Sequence, residues 1–190
     1  MKMKRVLLAL SLATCLTVTT FAQQLPRPAG TWSAQTTDRK MLRLDQFKGK
    51  FVVLAFLLTT CPHCQRFTGT LNTIQQEYGK KGVQVVAGTV GSAGLADLAD
   101  FVRKFSPNFP IGAMDQAGVN SFGEYGMQRR TFYPMAFFID KTGVVQSQFM
   151  GGESLFEGDP LVNMRTVLDH LLTPAAATSS AKKAPLAGKK

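Results

Sequence analysis

Eight apolar residues in a row, Phe51-Val52-Val53-Leu54-Ala55-Phe56-Leu57-Leu58, stand just ahead of Cys61-Pro62-His63-Cys64, and this junction constrains the fold more than anything else in the chain. The run is too short for an ordinary buried helix, and its β-branched and aromatic content favours a central strand covered on both faces. Past the second cysteine the period changes. Cys64, Phe67, Leu71, Ile74 and Tyr78 recur at three- and four-residue steps, one stripe of an α-helix, and Gly79 falls where such a helix should stop.

The alternation continues along the chain. Residues 83–90 read as a second strand, and Leu95, Leu98, Phe101, Val102 and Phe105 as a second helix stripe closed by Pro107. A short extended piece near Ile111 leads to a turn of helix with Val119 and Phe122. Residues 135–139 form a third strong strand, turning through Asp140-Lys141-Thr142-Gly143 into a strand over 144–149. Gly151-Gly152 ends that hairpin, and Leu161, Met164, Val167, Leu168, Leu171 and Leu172 give a closing helix after Pro160. Residues 31–44 predict a short hairpin ahead of the first buried strand. The pattern implies an α/β domain with a mixed central sheet flanked by helices on both faces. At 190 residues the chain suits one such domain, placed at 23–172.

The two ends read differently. Residues 1–22 have a basic start (Lys2, Lys4, Arg5), an apolar stretch over 6–18 and the small-x-small site Thr20-Phe21-Ala22, the marks of an export signal cleaved before Gln23. The stretch falls short of the ~20 residues of a bilayer span, although an uncleaved membrane anchor stays open as an alternative. Thr14 stands where a lipidation signal at Cys15 would want a smaller residue, so Cys15 is expected to leave with the signal. Residues 173–190 form an Ala/Lys/Pro tail without apolar periodicity, expected to be disordered. The net charge of +10 sits mainly in these ends, for residues 23–172 hold fifteen Lys and Arg against twelve Asp and Glu. That balance argues against a nucleic-acid-binding domain.

Export would place Cys61 and Cys64 outside the reducing cytosol. Thiols at C-x-x-C spacing can reach disulfide geometry across one helical turn. Cys61 at the helix start meets free N–H groups and the positive end of the macrodipole, which favour a thiolate. Pro62 loses nothing in the first turn, and a protonated His63 would add positive charge beside the sulfur. Cys64 shares the buried stripe with Phe67 and Leu71. Cys61 is thus the expected nucleophile and Cys64 the resolving thiol. A zinc site lacks ligands, since His63 and His170 are the only histidines. Two rivals remain open: a copper or haem-maturation thiol chaperone, with Met114, Met127, Met135 or Met150 assisting Cu(I), and a peroxidase. The peroxidase motif fails at Leu58 and Leu54, where it wants Thr and Pro. The loop Gly91-Ser92-Ala93-Gly94 reads as a helix cap, with anion binding as the alternative.

At this point the chain resembles the thioredoxin superfamily, in particular its exported TlpA-like or redoxin-type thiol–disulfide oxidoreductases, over about residues 28–172. The resemblance rests on Phe47-Lys48-Gly49-Lys50 with the strand that follows, on Cys61 to Cys64, and on Tyr133-Pro134-Met135-Ala136-Phe137-Phe138-Ile139-Asp140-Lys141-Thr142-Gly143. It implies a thioredoxin-like fold, no cofactor, and protein thiols or disulfides as partners, with cytochrome-maturation proteins and a membrane electron donor in the TlpA-like frame. It makes Pro134 the cis-proline packed beside the cysteines and Tyr133 the residue whose backbone meets substrate. Thr60 takes the place of the family's Trp in the docking surface. Two acids are missing: Ala55 stands where thioredoxin buries Asp, and Phe67 where TlpA-like proteins often carry Glu. The Pro62-His63 dipeptide is that of the oxidising DsbA proteins, whereas the TlpA-like frame points to a reductase, so direction stays open.

Overall fold

The computed structural model describes residues 25–124 and 131–173. The proposed signal at 1–22, Met127 and the tail beyond Thr173 lie outside the described residues.

Eight strands form one sheet in the order β1-β8-β7-β4-β5-β6-β2-β3. They are β1 Arg27–Pro28, β2 Ser33–Gln35, β3 Met41–Arg43, β4 Phe51–Leu58, β5 Val83–Val90, β6 Ile111–Ala113, β7 Met135–Ile139 and β8 Val144–Met150. Four helices accompany them: α1 Pro62–Tyr78, α2 Leu95–Phe105, α3 Gln116–Gly123 and α4 Pro160–Leu172. β4 runs parallel to β5 and antiparallel to β7, so the sheet is mixed, as the strand and helix alternation implies. The hairpin expected over 31–44 is β2–β3. The two-residue edge strand β1 carried no periodic signal. Its Arg27 is buried and donates to the Phe122 carbonyl at 2.7 Å and to Gln148 Oε1 at 3.1 Å, tying the sheet edge to the end of α3.

β4 is buried on both faces because alternate side chains feed two separate cores. Phe51, Val53, Ala55 and Leu57 join Cys64, Phe67, Leu71 and Ile74 of α1 and Met164 and Leu168 of α4. Val52, Leu54 and Phe56 join Trp32, Val119, Phe122 and Phe137 on the other face. Phe56, Phe122 and Phe137 lie with ring centroids 5.0–5.6 Å apart, within the range of favourable aromatic pairs.

Helix α1 ends at Tyr78 with Gly79 as its C-cap, as expected; Gly79 keeps right-handed geometry, and a turn of 3-10 helix carries the chain on to a left-handed Gly82 with φ of 88°. The loop before α2 leads into the helix start, the Ala93 N–H donating to the Asp97 carboxylate at 2.8 Å. The turn at Asp140 is as expected, with its carboxylate accepting from Thr142 and Val144 N–H groups at 2.8 and 3.1 Å. A bulge between Phe138 and Ile139 in the β7–β8 pairing leaves Gln146 free to donate to the same carboxylate at 2.7 Å.

Candidate active site

β4 ends at Leu58 and the chain turns sharply into α1, the Cys61 N–H donating to the Leu58 carbonyl at 3.1 Å. The Gln65 side chain donates to the Thr59 carbonyl at 2.9 Å and fixes the turn from the helix side. Cys61 is the N-cap of α1, with extended backbone and Pro62 in the first turn. Both cysteines are free thiols, Cys61 half-buried and Cys64 fully buried. Cys64 sits one turn deeper, on the apolar stripe between Ala55, Leu57 and Phe67.

Burial pushes the Cys64 thiol well above the ordinary cysteine range, and the neighbouring Cys61, to which it is hydrogen-bonded, adds to the rise. The Leu58 N–H donates to Cys64 Sγ at 3.3 Å and opposes the shift only in part. Among the described residues the main influences on this sulfur are burial, the Leu58 N–H and Cys61. The two positions where the superfamily keeps acids hold buried Ala55 and Phe67, and Phe67 packs edge-to-face on Phe156 with centroids 5.1 Å apart.

The structure brings Tyr133 and Pro134 to the cysteines. The Tyr133–Pro134 peptide is cis, as the family block implies, and Tyr133 packs against the same core cluster as Cys61 and Cys64. Its hydroxyl donates to Gln116 Oε1 at 2.8 Å, so α3 anchors the ring from the far side. Burial raises the Tyr133 phenol to about 12, partly offset by the Gln116 contact. Gly151 closes the loop from β8: its N–H donates to the Phe132 carbonyl at 2.9 Å, and a Cβ there would lie 2.7 Å from the Tyr133 carbonyl oxygen.

Thr60 is exposed directly before Cys61 and lines a small cleft with Gln65 and Asp97. Arg66 Nη2 contacts His63 Nδ1 at 3.1 Å; a guanidinium can only donate, so Nδ1 is the acceptor. The contact sets a second basic side chain, Arg66, beside His63 on the first turns of α1. Arg66, Gln116 and Gly151 escaped the sequence reading, because each acts through a partner distant in the chain or across a helical turn. A glycine straight after a strand was the one available signal.

Met114, Met135 and Met150, three of the methionines named as Cu(I) ligands, pack on the sheet face opposite Cys64. Met114 accepts from the Trp32 indole at 3.3 Å, and Met135 and Met150 are buried in the core there. Among the described residues no group of three His, Cys, Asp or Glu comes together. His170 lies in the last turn of α4, as expected. No helix among them is long and apolar enough to cross a membrane.

A C-x-x-C pair opening the helix after a central strand, faced by a cis-proline loop on the next antiparallel strand, defines a thioredoxin-fold dithiol protein. The Redoxin family model matches residues 22–160. The thiol-disulfide oxidoreductase ResA of Bacillus thuringiensis (strain Al Hakam) is 30% identical over 131 residues, which is 69% of this chain and 72% of the relative. The thioredoxin-like protein YneN of Bacillus subtilis (strain 168) is 30% identical over 122 residues, 63% of this chain and 68% of its own. Among solved structures, a putative thiol:disulfide interchange protein DsbE from Chlorobium tepidum superposes with a TM-score of 0.64 at 20% identity, over 77% of this chain and 99% of that one. The chain belongs to the redoxin family of the thioredoxin superfamily, as a thiol–disulfide oxidoreductase of the TlpA-like and ResA-like type.

Proposed function

We propose that Cys61 and Cys64 exchange a disulfide with partner proteins, Cys61 as the attacking sulfur and Cys64 as the resolving one. The observation that carries this reading is the asymmetry of the pair. Cys61 caps α1 at the surface, while Cys64 lies buried behind it with its thiol held protonated by its surroundings. In the reducing direction the Cys61 thiolate attacks one sulfur of a partner disulfide and expels the other as a thiolate. The Cys64 thiol then gives up its proton to the departing sulfur or to water and attacks Cys61. The partner leaves as a dithiol, two electrons richer, and Cys61–Cys64 is the disulfide. The oxidising direction is the reverse. With Ala55 and Phe67 where the superfamily keeps acids to take the proton, resolution is the slower step.

Two further parts of the reading rest on sequence. The signal-like residues 1–22 support action outside the cytoplasm, cleaved or anchored. The TlpA-like frame supports cytochrome-maturation proteins as partners and a membrane protein as electron donor. The relatives, named thiol-disulfide oxidoreductases, do not favour the copper-chaperone and peroxidase readings, and Met114, Met135 and Met150 pack on the other sheet face.

The experiment is a pair of single-cysteine variants offered a disulfide-bonded protein. Cys64→Ala should accumulate a mixed disulfide through Cys61 that withstands gel electrophoresis without reductant, and Cys61→Ala should form none. Trapping through Cys64 instead would overturn the assignment. Equilibration of the native pair with glutathione then fixes direction: about −120 mV marks an oxidant and about −270 mV a reductant.

A further inference from the structure

Beside the cysteines a groove of about 760 Å³ opens between the first turns of α1, the cis-proline loop and the start of α4. Its apolar part is aromatic: Phe67 and Phe156 form an edge-to-face pair, and Tyr133 and Phe132 stand on the loop side. Phe132 is 53% exposed, the most exposed large apolar side chain among the described residues, and it directly precedes the Tyr133–Pro134 pair. A phenyl ring left in water at that place has no part in the core. The basic side chains of the groove are His63 and Arg66, joined to each other. Among the described residues no carboxylate pairs with Arg66. Two acids of the connection from β8 to α4, Glu153 and Asp159, are engaged with backbone, accepting from the Met150 and Leu161 N–H groups at 2.9 Å each. Glu157 is exposed on the same connection but does not line the groove.

We infer that this groove selects partner polypeptides in which the reacting cysteine is flanked by a large apolar residue and an acidic one. The apolar residue covers Phe132 over the Phe67–Phe156 pair, and the carboxylate meets the Arg66 guanidinium. This deepens the exchange reading above and rests on it. The occupant is a polypeptide because the groove runs from His63, two residues past Cys61, to the cis-proline loop, so a chain lying in it brings its own sulfur toward the half-buried Cys61 thiol. An apolar floor with a rim of one charge sign matches a segment of mixed apolar and acidic character. Phe132 and Arg66 act here as specificity residues.

The test uses the full chain in its reduced form and short peptides with one cysteine, each as its mixed disulfide with 2-thiopyridine. The neutral leaving group adds no charge and reports release by absorbance. Cys61 attacks the peptide sulfur and expels 2-thiopyridine. Cys64 then releases the peptide thiol, so one protein dithiol is oxidised for each peptide disulfide reduced. Peptides carrying Phe with Glu, Phe with Lys, and Ala with Glu beside the cysteine are compared as ratios of second-order rate constants, which cancels any change in intrinsic thiol reactivity. The Glu peptide should react about three- to tenfold faster than the Lys peptide at low salt, the span of a partly exposed charge pair, and the ratio should collapse in high salt. Arg66→Glu should reverse the ratio and Arg66→Gln should bring it near one. Phe132→Ser should erase the preference for Phe over Ala. Both residues are exposed, so folding is not at stake, and a circular-dichroism melt checks it. A wild-type ratio near one, or a ratio unmoved by Arg66→Glu, overturns the inference while leaving exchange intact. Failure of the wild-type protein to react with 2,2′-dithiodipyridine overturns the exchange reading itself.

Discussion

Gly151→Ala is expected to damage the site without touching either cysteine. A Cβ at this position would lie 2.7 Å from the Tyr133 carbonyl oxygen, 3.1 Å from the Tyr133 carbonyl carbon and 3.3 Å from that of Phe132. All three are backbone atoms of the loop that faces the thiols, so no side-chain rotation relieves the contact. Ordinary van der Waals contact begins near 3.4 Å, and the loop or the end of β8 must therefore yield by about 0.7 Å. Overpacking of this kind costs about 1–3 kcal/mol. For a domain of this size that lowers Tm by about 2–12 °C. A displacement approaching 1 Å at a reacting centre costs up to about a hundredfold in rate, so disulfide exchange should fall by one to two orders of magnitude. Gly152→Ala is the control. Its φ of 84° makes a side chain costly, about 1–2 kcal/mol, but nothing lies within 4 Å of a Cβ there. Both variants should lose stability in urea unfolding, and Gly151→Ala alone should lose exchange with a disulfide-bonded protein. Wild-type exchange by Gly151→Ala, or an equal loss in Gly152→Ala, would refute the claim that Gly151 sets the position of the cis-proline loop.

Two further outcomes follow from named groups. Cys64 titrates higher in the folded state than in the unfolded chain, so it stabilises the reduced protein below about pH 8.5, and that contribution fades as pH rises. In urea unfolding between pH 7 and 10, the reduced wild type should lose up to about 1.4 kcal/mol per pH unit more than Cys64→Ala above pH 8.5; parallel curves would show that Cys64 is not shielded. Asp140 behaves with the opposite sign. Burial raises its pKa, but the bonds from Thr142, Val144 and Gln146 outweigh burial and hold it below the ordinary value. Its stabilisation is present above about pH 4 and lost as pH falls through the depressed value. Asp140→Ala should cost about 1–3 kcal/mol at pH 7, with the gap closing in acid; a gap independent of pH would place the effect in packing instead.

Much of the site was legible because its signals are local. A C-x-x-C pair carries its own spacing, the run before it announces a strand, and the stripe from Cys64 to Tyr78 announces the helix. Their junction then puts one sulfur at a helix N-terminus and the other in the core, with no tertiary information required. The Tyr133-Pro134 block was legible only by resemblance, since nothing local in an X-Pro bond selects the cis form.

What the amino-acid sequence determined by itself was the order of elements and the placing of one sulfur of the C-x-x-C pair at a helix start and the other in the core, because periodicity and spacing act within a few residues. Tertiary structure alone decided which side chains meet. It set Arg66 against His63 at the helix start and pinned Tyr133 with Gln116, seventeen positions upstream on α3. It also made Gly151 the residue against which the loop closes. These contacts depend on sheet order, β7 lying between β4 and β8, and sheet order is fixed by packing two cores at once on the faces of β4. No stretch of sequence encodes that by itself.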